Sequence, residues 1–114
     1  ILSEKARQNV EKTGKFGLSC ELLALEMAEK LREEGKEPTT WRMRRFEKID
    51  GKNTRVRFQH VGLPGLKPFM NHSICIHDGL VYDPLMGKDP IPIKEYQSRA
   101  FEKGKGPNQR TRFK

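Results

Sequence analysis

The segment N-H-S-I-C-I-H-D-G-L-V-Y-D-P, Asn71 to Pro84, gathers two of the chain's three histidines, one of its two cysteines and two aspartates. Such a set could serve nucleophilic, acid–base or metal chemistry, so what matters is which side chains face the same way. Asp78–Gly79 between two apolar runs is a strong signal for a two-residue hairpin turn, whose central residues both need positive φ. A turn there sets His77 opposite Leu80, Cys75 opposite Tyr82 and Ile74 opposite Asp83. Side chains alternate along a strand, so residues 72, 74 and 76 share a face with 81, 83 and 85. His72 and Asp83 then stand at the open end of an apolar patch of Ile74, Ile76 and Val81, within reach of a His–carboxylate hydrogen bond. Cys75 and His77 fall on the other face, Cys75 as a small buried hydrophobe and His77 as a turn-flanking residue. His60, within R-V-R-F-Q-H-V, reads as a strand residue or a contact to an anionic partner.

An imidazole oriented by a carboxylate needs a third member to do chemistry, a nucleophile whose proton it can take. Cys20 is that candidate. It follows K-F-G-L-S and opens the clearest helix in the chain, S-C-E-L-L-A-L-E-M-A-E-K-L-R-E-E-G. With Ser19 as N-cap, Cys20 falls in the first turn, where the helix dipole and free backbone N–H groups favour a thiolate. Its own N–H is then available to an oxyanion.

The elements that must carry these groups can be read from periodicity. Cys20, Leu23 or Ala24, Met27 and Leu31 recur at intervals of three and four and mark the buried stripe of the helix, with Gly35 at a left-handed C-terminal cap. Lys5 to Lys12 is a weaker helical stretch. Thr39 to Ile49 and Thr54 to Val61 alternate as strands around an Asp50–Gly51 turn, and the Asn71–Pro84 hairpin follows a loop punctuated by Pro64, Gly65 and Pro68. A short helix is expected around Ile93 to Phe101. The order predicts an α+β domain, with helices to one side of a small antiparallel sheet.

A chain of 114 residues supports one domain, here 1–102, and the basic stretch 103–114 reads as a mobile tail with little to pack. The net charge of +8 points to an anionic partner. No apolar run approaches the ~20 residues of a membrane span. The chain begins at Ile1 rather than methionine and is read as a piece of something longer. Two cysteines far apart in sequence make neither a disulfide framework nor a C-x-x-C zinc site, although one Cys20–Cys75 bridge stays open; no metal or cofactor is expected.

The helix motif C-E-L-L-A-L-E-M-A, followed after a basic β region by H-S-I-C-I-H-D-G-L-V-Y-D-P, resembles the papain-like and transglutaminase-like cysteine superfamily. More narrowly, it is similar to the small papain-fold toxin domains at the C-termini of bacterial polymorphic toxins, such as contact-dependent growth-inhibition effectors. The resemblance covers about a third of the chain. It implies a papain-like fold with Cys20 as nucleophile, His72 as general base and acid, and Asp83 orienting His72. It also implies proteolysis, deamidation or acyl transfer at amide bonds of a target protein, with delivery as part of a larger effector into the target-cell cytoplasm and neutralisation by an acidic immunity protein. Papain-type enzymes often carry a glutamine a few residues before the cysteine. Residues 14–19 hold none, and Gln8, with Asn9 beside it, is the nearest candidate for an oxyanion donor.

Two other readings stand beside this one. Arg42, Arg44, Arg45, Arg55 and Arg57 lie on two adjacent predicted strands with Trp41 and Phe58 interleaved, a combination that suits single-stranded RNA. A nuclease toxin would use His72 as base at a ribose hydroxyl. A non-enzymatic binding module, or a surface for an acidic immunity protein, would want the same arginines.

Overall fold

The computed structural model describes residues 16–61, 68, 70–87 and 89–113. The Lys5–Lys12 stretch, Gln8 and Asn9 lie outside those residues. Helix α1 runs Phe16–Glu33 and buries the expected Cys20, Met27 and Leu31, both Leu23 and Ala24, and in addition Ala28. It ends where the sequence indicates. Gly35 adopts φ 84°, and the Lys36 and Gly35 N–H groups return to the carbonyls of Leu31 and Arg32, a paired closure of the last helical turn.

The strands are β1 (Thr39–Ile49), β2 (Lys52–Val56), β3 (His72–His77), β4 (Leu80–Tyr82), β5 (Ile91–Pro92) and β6 (Gln109–Arg112), joined in one antiparallel sheet. A 3-10 turn covers Pro84–Met86, and helix α2 spans Ile93–Ala100. Both hairpins turn on the expected pairs, Asp50–Gly51 and Asp78–Gly79, all four residues at positive φ. The second sets Cys75 against Tyr82, Ile76 against Val81 and His77 against Leu80. Gly79 has φ 73° and open space where a Cβ would stand, so a substitution there meets conformational strain alone. Gly79→Ala is therefore expected to cost about 1–2 kcal/mol in urea unfolding.

Alternation along β1 and β3 separates two layers. Cys75 faces α1 with Ala24, Met27, Ala28 and Leu31, while Met43, Ile74 and Val81 face α2 through Tyr96 and Ala100. The helices thus flank the sheet on opposite faces, contrary to the expectation that they share one. Cys20 and Leu23, toward the start of α1, join the second cluster, so the helix brings its cysteine round to the far layer at the entry of β3.

Two segments depart from the sequence reading. The expected Thr54–Val61 strand leaves the sheet after Val56, with Phe58 making a single bridge, and residues 58 and 60 turn into the core. The 103–114 stretch, expected as a mobile tail, instead supplies β6, which pairs with Trp41–Arg44 of β1. Its basic and polar residues find partners that composition does not reveal. Arg110 stacks on Trp41 at 4.5 Å, Arg42 on the Phe113 ring at 5.0 Å, and the Asn108 side chain bonds both the N–H and the carbonyl of Phe46.

Candidate functional site

The geometry of the site follows from three elements. α1 presents Cys20, the first residue of β3 is His72, and the hairpin returns the chain to Asp83 just past β4. Cys20 Sγ lies 2.6 Å from His72 Nδ1, and His72 Nε2 lies 2.9 Å from Asp83 Oδ1. The three residues predicted from sequence are thus brought into one line, and all are buried.

Asp83 is more heavily held than the hairpin arithmetic suggested. Its Oδ1 accepts from the Leu85 backbone N–H at 2.9 Å, capping the 3-10 turn. Its Oδ2 accepts from His60 Nε2 and from the Tyr96 hydroxyl, both at 2.6 Å. The His60 ring packs edge-on against His72 at 4.9 Å and Phe101 at 5.1 Å. The reading of His60 as a strand residue or a contact to an anionic partner is therefore corrected: it lies outside the strands and is buried. The signal was present: His60 keeps the parity of Val56 and Phe58, and Tyr96 falls on the apolar stripe of α2 with Ile93 and Ala100.

The expected thiolate is also corrected. α1 begins at Phe16, so Ser19 is not its N-cap and Cys20 is the fifth helical residue, whose N–H has an intrahelical carbonyl to bond. That removes both the dipole argument and the Cys20 N–H as an oxyanion donor. Burial, reinforced by the Asp83 charge, pushes the Cys20 thiol well above its ordinary range. Burial lowers His72 against the pull of Asp83. Burial alone would raise Asp83, but attraction to His72 and hydrogen bonds from His60 and His72 outweigh it, and the carboxyl is held far below the usual range. At neutral pH the site therefore holds a thiol, a neutral His72 and a carboxylate. Because Asp83 faces His72 Nε2, that nitrogen carries the proton, and Nδ1 is left to accept from the Cys20 S–H.

The two cysteines are free, so the Cys20–Cys75 bridge does not form. Cys75 Sγ donates to the Ala24 carbonyl under α1, and burial pushes its thiol up to about 12. His77 sits beside the turn with Nδ1 3.4 Å from the Glu37 carbonyl. The ligand atoms of His60, His72 and Asp83 lie within 4.8 Å of one another, a spacing an ion could span. Both carboxylate oxygens already accept hydrogen bonds, Oδ1 from the Leu85 N–H and Oδ2 from His60 and Tyr96.

The arginines do not form the single surface expected of them. Arg42, Arg44 and Arg55 share the α1 face of the sheet, while Arg45 points to the other face and donates to the Gly106 carbonyl. Arg57 lies beyond β2 and donates to the Pro68 carbonyl. Phe58 is core, and Trp41 lies under Arg110 on the face opposite Arg42.

The pH dependence of stability follows from these shifts. His72 and Asp83 titrate at lower pH folded than unfolded, so their contributions are present above their ordinary values of 6.5 and 3.8 and are lost as pH falls through the folded values. Cys20 and Tyr96 are held protonated, so their contributions are lost as pH rises above 9.0 and 10.0. Urea midpoints from about pH 5 to about pH 10 should trace a dome, and His72→Gln should flatten its shoulder just below neutrality.

No family model, curated protein or solved structure matches the chain. Among the described residues no helix is long and apolar enough to cross a membrane.

Proposed function

We propose that this domain is a cysteine-dependent hydrolase or acyl transferase acting on amide bonds of a target protein, with Cys20 as nucleophile, His72 as general base and acid, and Asp83 as the group that orients and stabilises His72. The observation that carries this is the alignment of Cys20 Sγ, His72 and Asp83 through opposite nitrogens of one imidazole. In the proposed reaction, Sγ attacks the amide carbonyl carbon as its proton passes to His72 Nδ1. The imidazolium that forms is stabilised by Asp83, which stays ionised. The same proton then goes to the departing amine or ammonia. Water or an acceptor amine resolves the thioester, returning the thiol. His60 and Tyr96 act as positioning residues through Asp83. The papain-like, polymorphic-toxin setting, with its immunity protein, is proposed on the sequence resemblance of the Cys20 helix and the hairpin.

The test uses the purified domain with glutamine-rich casein. Released ammonia, peptide cleavage and shifts of about 1 Da per site, the amide-to-acid replacement, are measured beside Cys20→Ser. Turnover lost in Cys20→Ser supports the reading. An unchanged substrate, with total RNA instead cut in a His72-dependent and Cys20-independent way, sinks it in favour of the nuclease.

A further inference from the structure

The register of β1 gathers one set of cations next to the nucleophile. Arg42 pairs across the ladder with Ser73, whose N–H and carbonyl lie 3.5 and 3.6 Å from Cys20 Sγ. Thr40, Arg42 and Arg44 alternate onto the α1 face, and the Phe46–Arg55 pairing puts Arg55 there too. Of the three guanidinium groups, Arg42 alone has a carboxylate at ion-pair distance among the described residues, that of Glu21, which follows Cys20 on α1. Arg44 Nε is buried with no hydrogen-bond partner there, and Arg55 makes only long contacts, 3.4 Å, to the Met70 carbonyl. Burial and then the charges of Arg44 and Arg42 lower the Arg55 pKa, as expected of cations crowded without enough counter-charge.

We infer that Arg42, Arg44 and Arg55 form a subsite for carboxylates of an acidic polypeptide, flanking the residue whose amide is presented to Cys20. This rests on the amide reading above and adds the substrate class to it. Glu21 is the internal template: a carboxylate one residue from Cys20 along the chain already docks on Arg42. The subsite begins about one strand spacing, ~4.8 Å, from the ladder position that touches the thiol, a distance an extended peptide covers in one or two residues. Two rings share this face, but Phe113 is already covered by Arg42 at 5.0 Å and packs on the α1 cluster, and Phe46 is the ladder partner of Arg55; what favours a carboxylate over RNA is the Glu21 carboxylate already docked on Arg42. Guanidinium groups suit carboxylates, which they hold by paired N–H donors.

The test measures fluorescence anisotropy of a labelled Glu-Glu-Gln-Glu-Glu peptide on the Cys20→Ala domain, with an oligouridylate as competitor. Arg42→Gln, Arg44→Gln and Arg55→Gln should each weaken peptide binding on the order of tenfold. Glu21→Gln, which releases Arg42, should tighten it severalfold, a gain that a misfolded variant cannot mimic. The exposed pair Lys103→Ala and Lys105→Ala should leave it unchanged. The inference falls if the lysine pair costs as much as the arginines, if Glu21→Gln does not tighten binding, or if oligouridylate binds better through the same arginines. Turnover of a neutral glutamine peptide by the unmodified domain is measured separately. Its absence would strike the amide reading, whereas loss of the arginine dependence alone would strike the subsite.

Discussion

Asp83→Ala should destabilise the domain by about 3–5 kcal/mol, which is the usual cost of removing one partner from a buried charged pair. The residue is fully enclosed, and its two oxygens face His72, His60, the Tyr96 hydroxyl and the Leu85 N–H. Alanine leaves all four without an acceptor. For a domain of this size the loss is about a fifth or more of an ordinary total of about 5–15 kcal/mol. Urea unfolding at neutral pH measures it directly; a loss below about 1 kcal/mol would show that water replaces the carboxylate, and the buried network would need redrawing. Asp83→Asn separates folding from chemistry. It keeps the shape and one acceptor oxygen, so the domain should remain folded. An amide that turns its NH2 toward His72 selects the wrong tautomer, and turnover should fall roughly 10^3-fold or more.

Cys20→Ser should reduce turnover by at least about a thousandfold while leaving the urea midpoint nearly unchanged. Serine fits the same space, but its hydroxyl is a poorer nucleophile for a neutral imidazole to activate. The protonated resting state gives this prediction a second arm. Iodoacetamide should modify Cys20 more slowly at neutral pH than it modifies an unfolded cysteine, because the folded thiol is held above its ordinary range. It should still modify Cys20 ahead of Cys75, whose proton is committed to the Ala24 carbonyl and which has no imidazole beside it. His72→Ala should erase that preference. Equal, slow labelling of both cysteines in the unmodified domain would count against a base-assisted nucleophile at position 20.

The part of the site carried by local rules was legible in the sequence. Asp78–Gly79 fixes a hairpin register, the register aligns His72 with Asp83, and the i, i+3, i+4 pattern of α1 turns Cys20 inward. What was not legible depends on where the chain leaves a local pattern. His60 looked like the continuation of a strand, but β2 stops at Val56 and the chain dives, carrying His60 to a carboxylate it meets only in three dimensions. The protonation of Cys20 was misread for a related reason. Position in a helix suggests a thiolate, while the burial that overrides it is made by distant segments. Composition failed for 103–114 because β1 offers backbone groups to any sequence that can extend, and the basic side chains then settle on Trp41 and elsewhere.

The pairing of β6 with β1 also bears on self-association. Residues Trp41–Met43 are bonded to β3 along one edge, and β6 closes the opposite edge at Trp41–Arg44. Contacts such as Thr111 to the Arg42 carbonyl join chain positions 69 apart, so this edge is among the last to be covered as the chain is made or threaded N-terminus first. Until then β1 presents an unpaired row of N–H and carbonyl groups, a template on which a second chain can add a strand. Arg42, Arg44 and Arg45 along that edge supply the like-charge repulsion that discourages such pairing between copies. Two of these, Arg42 and Arg44, also belong to the proposed carboxylate subsite, so the same charges guard the half-built sheet against aggregation.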